Sequence, residues 1–200
     1  MKQKTYKELT YIDDNDYKII TEYNHLDQII KEIYCNPNET IYGVRVFDPQ
    51  TKSLLKTMIF FPEEIISEHP QTIYEYNSEN QKTKSTFYNP DGSIRYIRIY
   101  DSQTNKITKS AFYHPDGSLR YINLHDPQSE KRITSIWYDF NEKINYIYEY
   151  EPTNGISTKY TSYNPDGSVL KTINFPINKP STNLDEIPTP KNPFSHHLKK

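Results

Sequence analysis

Cysteine is almost missing from this chain. Cys35 is the only one, so no disulfide can form within the molecule and nothing points to an oxidising compartment. Glycine is scarce at 5 residues and alanine occurs once, as Ala111. No Gly-rich phosphate loop, Cys-x-x-Cys pair, His-Glu-x-x-His or Gly-x-Ser-x-Gly is present, which removes the familiar nucleotide, zinc and hydrolase signatures. No apolar run reaches the roughly 18 residues of a membrane span, and no hydrophobic stretch follows Met1. The expectation is a protein without membrane insertion or signal peptide, cytoplasmic by default. An excess of one charge is missing too: 24 basic and 26 acidic residues are interspersed, with a net charge of -2. A nucleic-acid groove normally needs a basic face, so no nucleic-acid partner is expected.

What is present is repetition. Tyr88-Asn-Pro-Asp-Gly-Ser93, Tyr113-His-Pro-Asp-Gly-Ser118 and Tyr163-Asn-Pro-Asp-Gly-Ser168 stand 25 and then twice 25 residues apart, and Tyr138-Asp-Phe-Asn-Glu-Lys143 fills the vacant slot. Weaker copies begin at Tyr11, Cys35 and Phe60. A fixed period of this size means one supersecondary unit copied along a line. Within a unit, two β-prone runs flank Pro-Asp-Gly, as in Ile107–Tyr113 and Leu119–His125. Proline presets φ at the first turn position, and glycine takes the left-handed position that closes a type I turn with a bulge. A looser turn such as Asp101–Lys106 links one unit to the next. The predicted fold is mainly β, an antiparallel meander of hairpin repeats of about 25 residues.

Two places in the N-terminal third allow a short helix. Leu26, Ile29, Ile30 and Ile33 have helical spacing behind Asn24, and helix and strand are equally good readings there. Phe61-Pro-Glu-Glu-Ile-Ile66 could start a helical turn. Residues 1–72 are therefore expected to be divergent repeats or a small α+β cap, residues 73–176 the repeat array, and residues 177–200, with five prolines from Pro176 on and no periodicity, a disordered tail.

Simple alternation sorts the side chains into two faces. One collects Phe87, Phe112 and Trp137 with Ile97, Ile99, Ile122, Leu124 and Ile147, and is the expected core side. The other collects Tyr96, Tyr100, Tyr121, Tyr146 and Tyr150 with a lysine row that includes Lys84 and Lys109. Hydrophobic content is only 34% and mean hydropathy is -0.90, yet aromatics reach 14% with 19 Tyr. Tyrosine buries area while its hydroxyl stays wet, so it serves either as packing or as a binding surface. Those seven Tyr and Lys residues are the candidate site for an unidentified protein partner.

The lysine row also has an ordinary use, since lysines on a sheet rim block edge-to-edge pairing; edge-strand self-association remains an expectation for a flat array. The turn acids Asp91, Asp116 and Asp166 stand alone before Gly-Ser without the alternating oxygen ligands of a calcium loop, and their expected role is turn formation. Cys35 occupies the slot of an anchor aromatic and is read as a packing residue. No cofactor, metal or catalytic constellation is indicated, and a non-enzymatic β-repeat protein is expected, with carbohydrate binding as the alternative.

Written out, the unit is Tyr-x-Pro-Asp-Gly-Ser-Ile-Arg-Tyr-Ile-x-Ile-Tyr-Asp-x-x-Thr-x-Lys-Ile-Thr-Lys-Ser-x-Phe. It resembles the repeat of phytoplasma proteins grouped as domain of unknown function 2963, which share the Tyr-Asn-Pro-Asp-Gly turn and a Tyr-Asp-Pro-x-Thr loop. The likeness is strong over residues 73–176 and weak before them. The shortage of Ala, Gly and Arg beside abundant Asn, Lys, Ile and Tyr fits the AT-rich coding of such an organism. The resemblance implies an architecture and a source but no activity, because that family has no established catalytic residues.

Overall fold

A computed structural model describes residues 7–62, 65 and 67–176. Every regular element among them is a strand: β1 (Lys7–Ile12), β2 (Lys18–Tyr23), β3 (Ile29–Cys35), β4 (Ile41–Phe47), β5 (Leu54–Phe60), β6 (Pro70–Tyr76), β7 (Lys82–Tyr88), β8 (Ile94–Tyr100), β9 (Ile107–Tyr113), β10 (Leu119–His125), β11 (Arg132–Tyr138), β12 (Ile144–Tyr150), β13 (Ser157–Tyr163) and β14 (Val169–Asn174). They form one antiparallel sheet in strict sequence order. Each strand touches only the strands before and after it. The sheet therefore neither closes on itself nor folds back into a second layer.

The tight turns have the predicted geometry. Gly92 N–H donates to Asn89 O at 3.0 Å and Asn89 N–H to Ser93 O at 2.9 Å, with Gly92 at φ +83°. The Asp91 carboxylate accepts from both the Ser93 hydroxyl, at 2.6 Å, and the Ser93 amide, at 2.9 Å. The degenerate turn at residues 139–143 keeps the same backbone bonds, with Glu142 accepting the left-handed position at φ +57°. The looser turns are built on Asp48, Asp101 and Asp126, whose carboxylates gather the amides two and three residues ahead.

The segment 24–34 resolves as turn and strand. Asn24 Oδ1 accepts from the amides of Leu26 and Gln28, at 2.9 and 3.0 Å, which makes it the head of a turn and not a helix cap. Its helical spacing has a specific origin. Tyr23 pairs with Ile29 and Glu22 with Lys31, leaving Ile30 as the extra residue of a bulge, so two isoleucines stand side by side in a strand. The second helical candidate, 61–66, lies partly outside the described residues, as does the whole of 177–200. Strands β1–β5 join the same sheet as the later repeats without a break.

A single layer leaves little interior. Among the described residues the buried apolar side chains are Ile30, Cys35, Val44 and Ala111, and the two most deeply buried side chains of all are Ser85 and Ser135. Cys35 is free and buried at the end of β3. Packing is therefore lateral, from strand to strand along each face, rather than face to face.

The turn acids make this fold sensitive to acid. Hydrogen bonds from the Ser93, Ser118 and Ser168 hydroxyls hold Asp91, Asp116 and Asp166 below the usual carboxylate range, and the Thr51, Thr104 and Ser129 amides do the same for Asp48, Asp101 and Asp126. A depressed carboxylate contributes stability above its unfolded pKa of about 3.9, and loses it as pH falls through the folded value. Melting temperature should fall as pH drops below about 4, where these carboxylates take up protons. The Asp91→Asn, Asp116→Asn, Asp166→Asn triple variant should show a shallower acid limb in thermal melts followed by circular dichroism.

Candidate functional site

The tyrosines and lysines expected on one face lie on opposite faces. Phe87 pairs with Tyr96 and Tyr88 with Ile94, so Arg95 is an extra residue in β8. Arg120 in β10, Asn145 in β12 and Leu170 in β14 repeat the same bulge. An extra residue flips every side chain beyond it. Tyr96, Tyr121 and Tyr146 thereby join Phe87, Phe112 and Trp137, while Lys84 and Lys109 pair with Ile99 across β7, β8 and β9 on the other side. Simple alternation misses this. No residue marks the slip, because the left-handed glycine that closes the turn, Gly92, is separate from the extra residue Arg95.

The corrected face carries a ladder of rings, one per strand. From β7 to β12, Phe87, Tyr96, Phe112, Tyr121, Trp137 and Tyr146 stack with centroids 4.1, 5.4, 4.3, 4.4 and 5.5 Å apart and planes within 28° of parallel. Tyr74 meets one end edge-on at 6.4 Å, and Tyr160 tilts against the other at 5.9 Å. The rings thus turn their faces to one another and their edges to solvent. Each such pair is worth about 0.5–1.5 kcal/mol beyond the area it covers.

Beside the ladder runs a row of small residues. Ser85, Ser110 and Ser135 alternate with larger side chains and leave room for the rings. Ser85 Oγ lies 3.0 Å from the Tyr100 hydroxyl, and Ser135 donates to Asn123 Oδ1 at 2.7 Å. Tyr100 and Tyr150 stand in the outer row of this face, where Lys82 lies 5.1 Å over Tyr100 and Arg132 lies 4.5 Å over Tyr150. Five of the seven expected site residues are therefore brought together, and two are not.

The opposite face is aliphatic and charge-paired. Ile73, Thr86, Ile97, Ala111, Ile122, Ile136 and Ile147 form its central row. Lys31 meets Glu22 at 2.7 Å, Lys84 meets Glu75 at 3.2 Å and Lys159 meets Glu149 at 2.9 Å. Lys84 is a cross-strand ion-pair partner.

At the start of the ladder the row of rings gives way to Thr72 and Ile59. A hollow of about 420 Å³ opens there, lined by Ile59, Phe61, Tyr74, Phe87, Tyr96 and Arg95 among others. Among the described residues, no group of three His, Cys, Asp or Glu could hold a metal ion, and no helix is long and apolar enough to cross a membrane.

The family model described as "Protein of unknown function (DUF2963)" matches residues 67–112, 88–137, 113–162 and 138–184. Together these windows cover more than half of the chain, and the last three begin 25 residues apart. The chain belongs to the DUF2963 family. No curated protein matches it. Solved structures with partial likeness include the G117R mutant of S. aureus TarM in complex with Fondaparinux, alpha-GlcNAc-glycerol and UDP, at 9% identity and TM-score 0.39 over 56% of this chain and 21% of that one. The pneumococcal O-GlcNAc transferase GtfA in complex with UDP and GlcNAc matches at 16% identity and TM-score 0.37, over 57% and 21%. TcdB2-TccC3 matches at 13% identity and TM-score 0.33, over 88% and 11%. The chain thus spans about a fifth or less of these proteins.

Burial raises the pKa of several ring hydroxyls of this DUF2963 protein. Tyr146 is pushed up to about 12 by burial and then by its neighbours Tyr148 and Tyr160, and Tyr121, Tyr74 and Tyr148 are raised by burial as well. These tyrosines stay neutral hydrogen-bond donors at physiological pH. Because the unfolded chain ionises near pH 10, their contribution to stability is whole below that pH and is lost as pH rises toward 12. Chemical denaturation at stepped pH should show stability falling across that window, and Tyr146→Phe should flatten the decline while keeping the stack.

Proposed function

We propose that this protein is a non-enzymatic repeat scaffold whose ladder face binds another protein. The observation that carries the reading is the row of half-buried rings from Phe87 to Tyr146, which no second layer covers among the described residues. Aromatic edges with neutral hydroxyls supply contact area at low entropic cost, as the centres of protein interfaces do. The hollow beside Tyr74 and Arg95 offers a seat for one apolar anchor at the end of the ladder. Carbohydrate recognition, the other expectation, draws on open ring faces. In the ladder those faces are taken by neighbouring rings, so the geometry supports a protein partner better.

The test is site-specific photo-crosslinking. A benzophenone amino acid placed at Tyr121 reports the ladder face, and the same residue at Ile122 reports the opposite face one step away. In extracts of the cells that make the protein, irradiation should link a discrete protein from position 121 and not from position 122. Equal labelling from both positions, or none from 121, would overturn the reading.

A further inference from the structure

All five arginines of the chain stand over rings of the same face. Arg45 lies 5.2 Å from the centroid of Tyr34, Arg95 5.9 Å from Tyr96, Arg98 5.1 Å from Tyr96, Arg120 5.8 Å from Tyr121 and Arg132 4.5 Å from Tyr150. The lysines that make cross-strand ion pairs lie on the other face. The only carboxylates within strands β6–β13 are Glu75 and Glu149, and both are paired to lysines there. Among the described residues, Arg45 has a carboxylate partner in Glu32, whereas Arg95, Arg98, Arg120 and Arg132 have none. A net charge of -2 therefore hides a ladder face that is cationic along its whole length.

We infer that this face receives an extended acidic segment of a partner protein, with carboxylates held by Arg95, Arg98, Arg120 and Arg132 and apolar side chains laid on the ring edges. The inference rests on the protein-binding reading above and names the chemistry of the partner. A guanidinium already braced on a ring keeps its outer edge free and pre-oriented, and that edge matches a carboxylate bidentately. Arg95 and Arg120 occupy equivalent positions in successive repeats, two strands or about 10 Å apart. The face from Tyr74 in β6 to Tyr160 in β13 spans seven strand spacings, about 34 Å, the reach of about ten extended residues. Single-stranded nucleic acid would need open ring faces for base stacking, and those faces are occupied. A second copy laid face to face would oppose guanidinium to guanidinium.

The probe is a synthetic peptide of about ten residues alternating Glu pairs with single Leu, beside a copy with Gln in place of every Glu, and oligothymidylate. Binding to the full chain is read from the emission of Trp137, the only tryptophan, which is stacked between Tyr121 and Tyr146 beneath Arg120. The acidic peptide should bind, the Gln copy should bind roughly tenfold or more weakly, and the Arg98→Gln, Arg120→Gln pair should lose a similar factor with an unchanged circular dichroism spectrum. Equal binding of the two peptides, tighter binding of oligothymidylate, absence of binding by the acidic peptide, or self-association strengthened by the Arg→Gln pair would each overturn the inference. Crosslinking from position 121 survives any of these results if the face binds protein by other chemistry. It disappears with them if the protein-binding reading itself is wrong.

Discussion

Lateral packing is the constraint on which this molecule depends. A sheet with no second layer cannot stabilise itself by pressing two apolar faces together, so each side chain must find its partner on the neighbouring strand. Long aliphatic chains cover little surface in that arrangement, whereas upright rings do, because a ring set on every strand meets the next at close to the inter-strand spacing of about 4.8 Å. The abundance of tyrosine follows from this requirement. So does the burial of Ser85 and Ser135, whose small side chains leave the adjacent row room to lean.

The same constraint sorts the charges. On the aliphatic face, lysine and glutamate neutralise one another across strands, as in Lys84–Glu75 and Lys159–Glu149. On the ladder face, cations are held by rings instead. Guanidinium is more weakly hydrated than ammonium and stacks on aromatic faces and edges, which accounts for arginine being confined to one side although lysine is far commoner in the chain. The two faces are thus chemically unlike: one pairs lysine with glutamate across strands, and the other, from β8 to β11, carries Arg95, Arg98, Arg120 and Arg132 with no carboxylate partner among the described residues.

Much of this was legible in the sequence. The period of 25, the Pro-Asp-Gly turns and the looser Asp101 and Asp126 connections led directly to hairpins in series; the faint copy at Cys35 opens a turn of the same backbone pattern, and the one placed at Tyr11 does so one residue later, from Ile12. What alternation alone could not deliver was the facing of the second strand in each hairpin, because the bulged residues Arg95, Arg120, Asn145 and Leu170 look like ordinary strand residues. For the same reason the Ile29-Ile30 doublet imitated a helix. A bulge inserts one residue without any compositional mark, and every inference about sidedness downstream of it inverts. Tyr96, Tyr121 and Tyr146 were thereby grouped with Lys84 and Lys109 instead of with Phe87, Phe112 and Trp137, their partners in the sheet.

The strict neighbour-to-neighbour order of the strands makes the protein a ruler. Each repeat adds two strands, hence about 10 Å of ladder, and touches nothing beyond the units on either side. Duplicating or losing one block of 25 residues would lengthen or shorten the surface in whole steps while leaving every existing contact in place. Length, and with it the number of rings and guanidinium groups on the ladder face, can then change in evolution by recombination alone, with no residue of that face redesigned. Avidity for the acidic partner proposed above would be tuned by copy number rather than by shape.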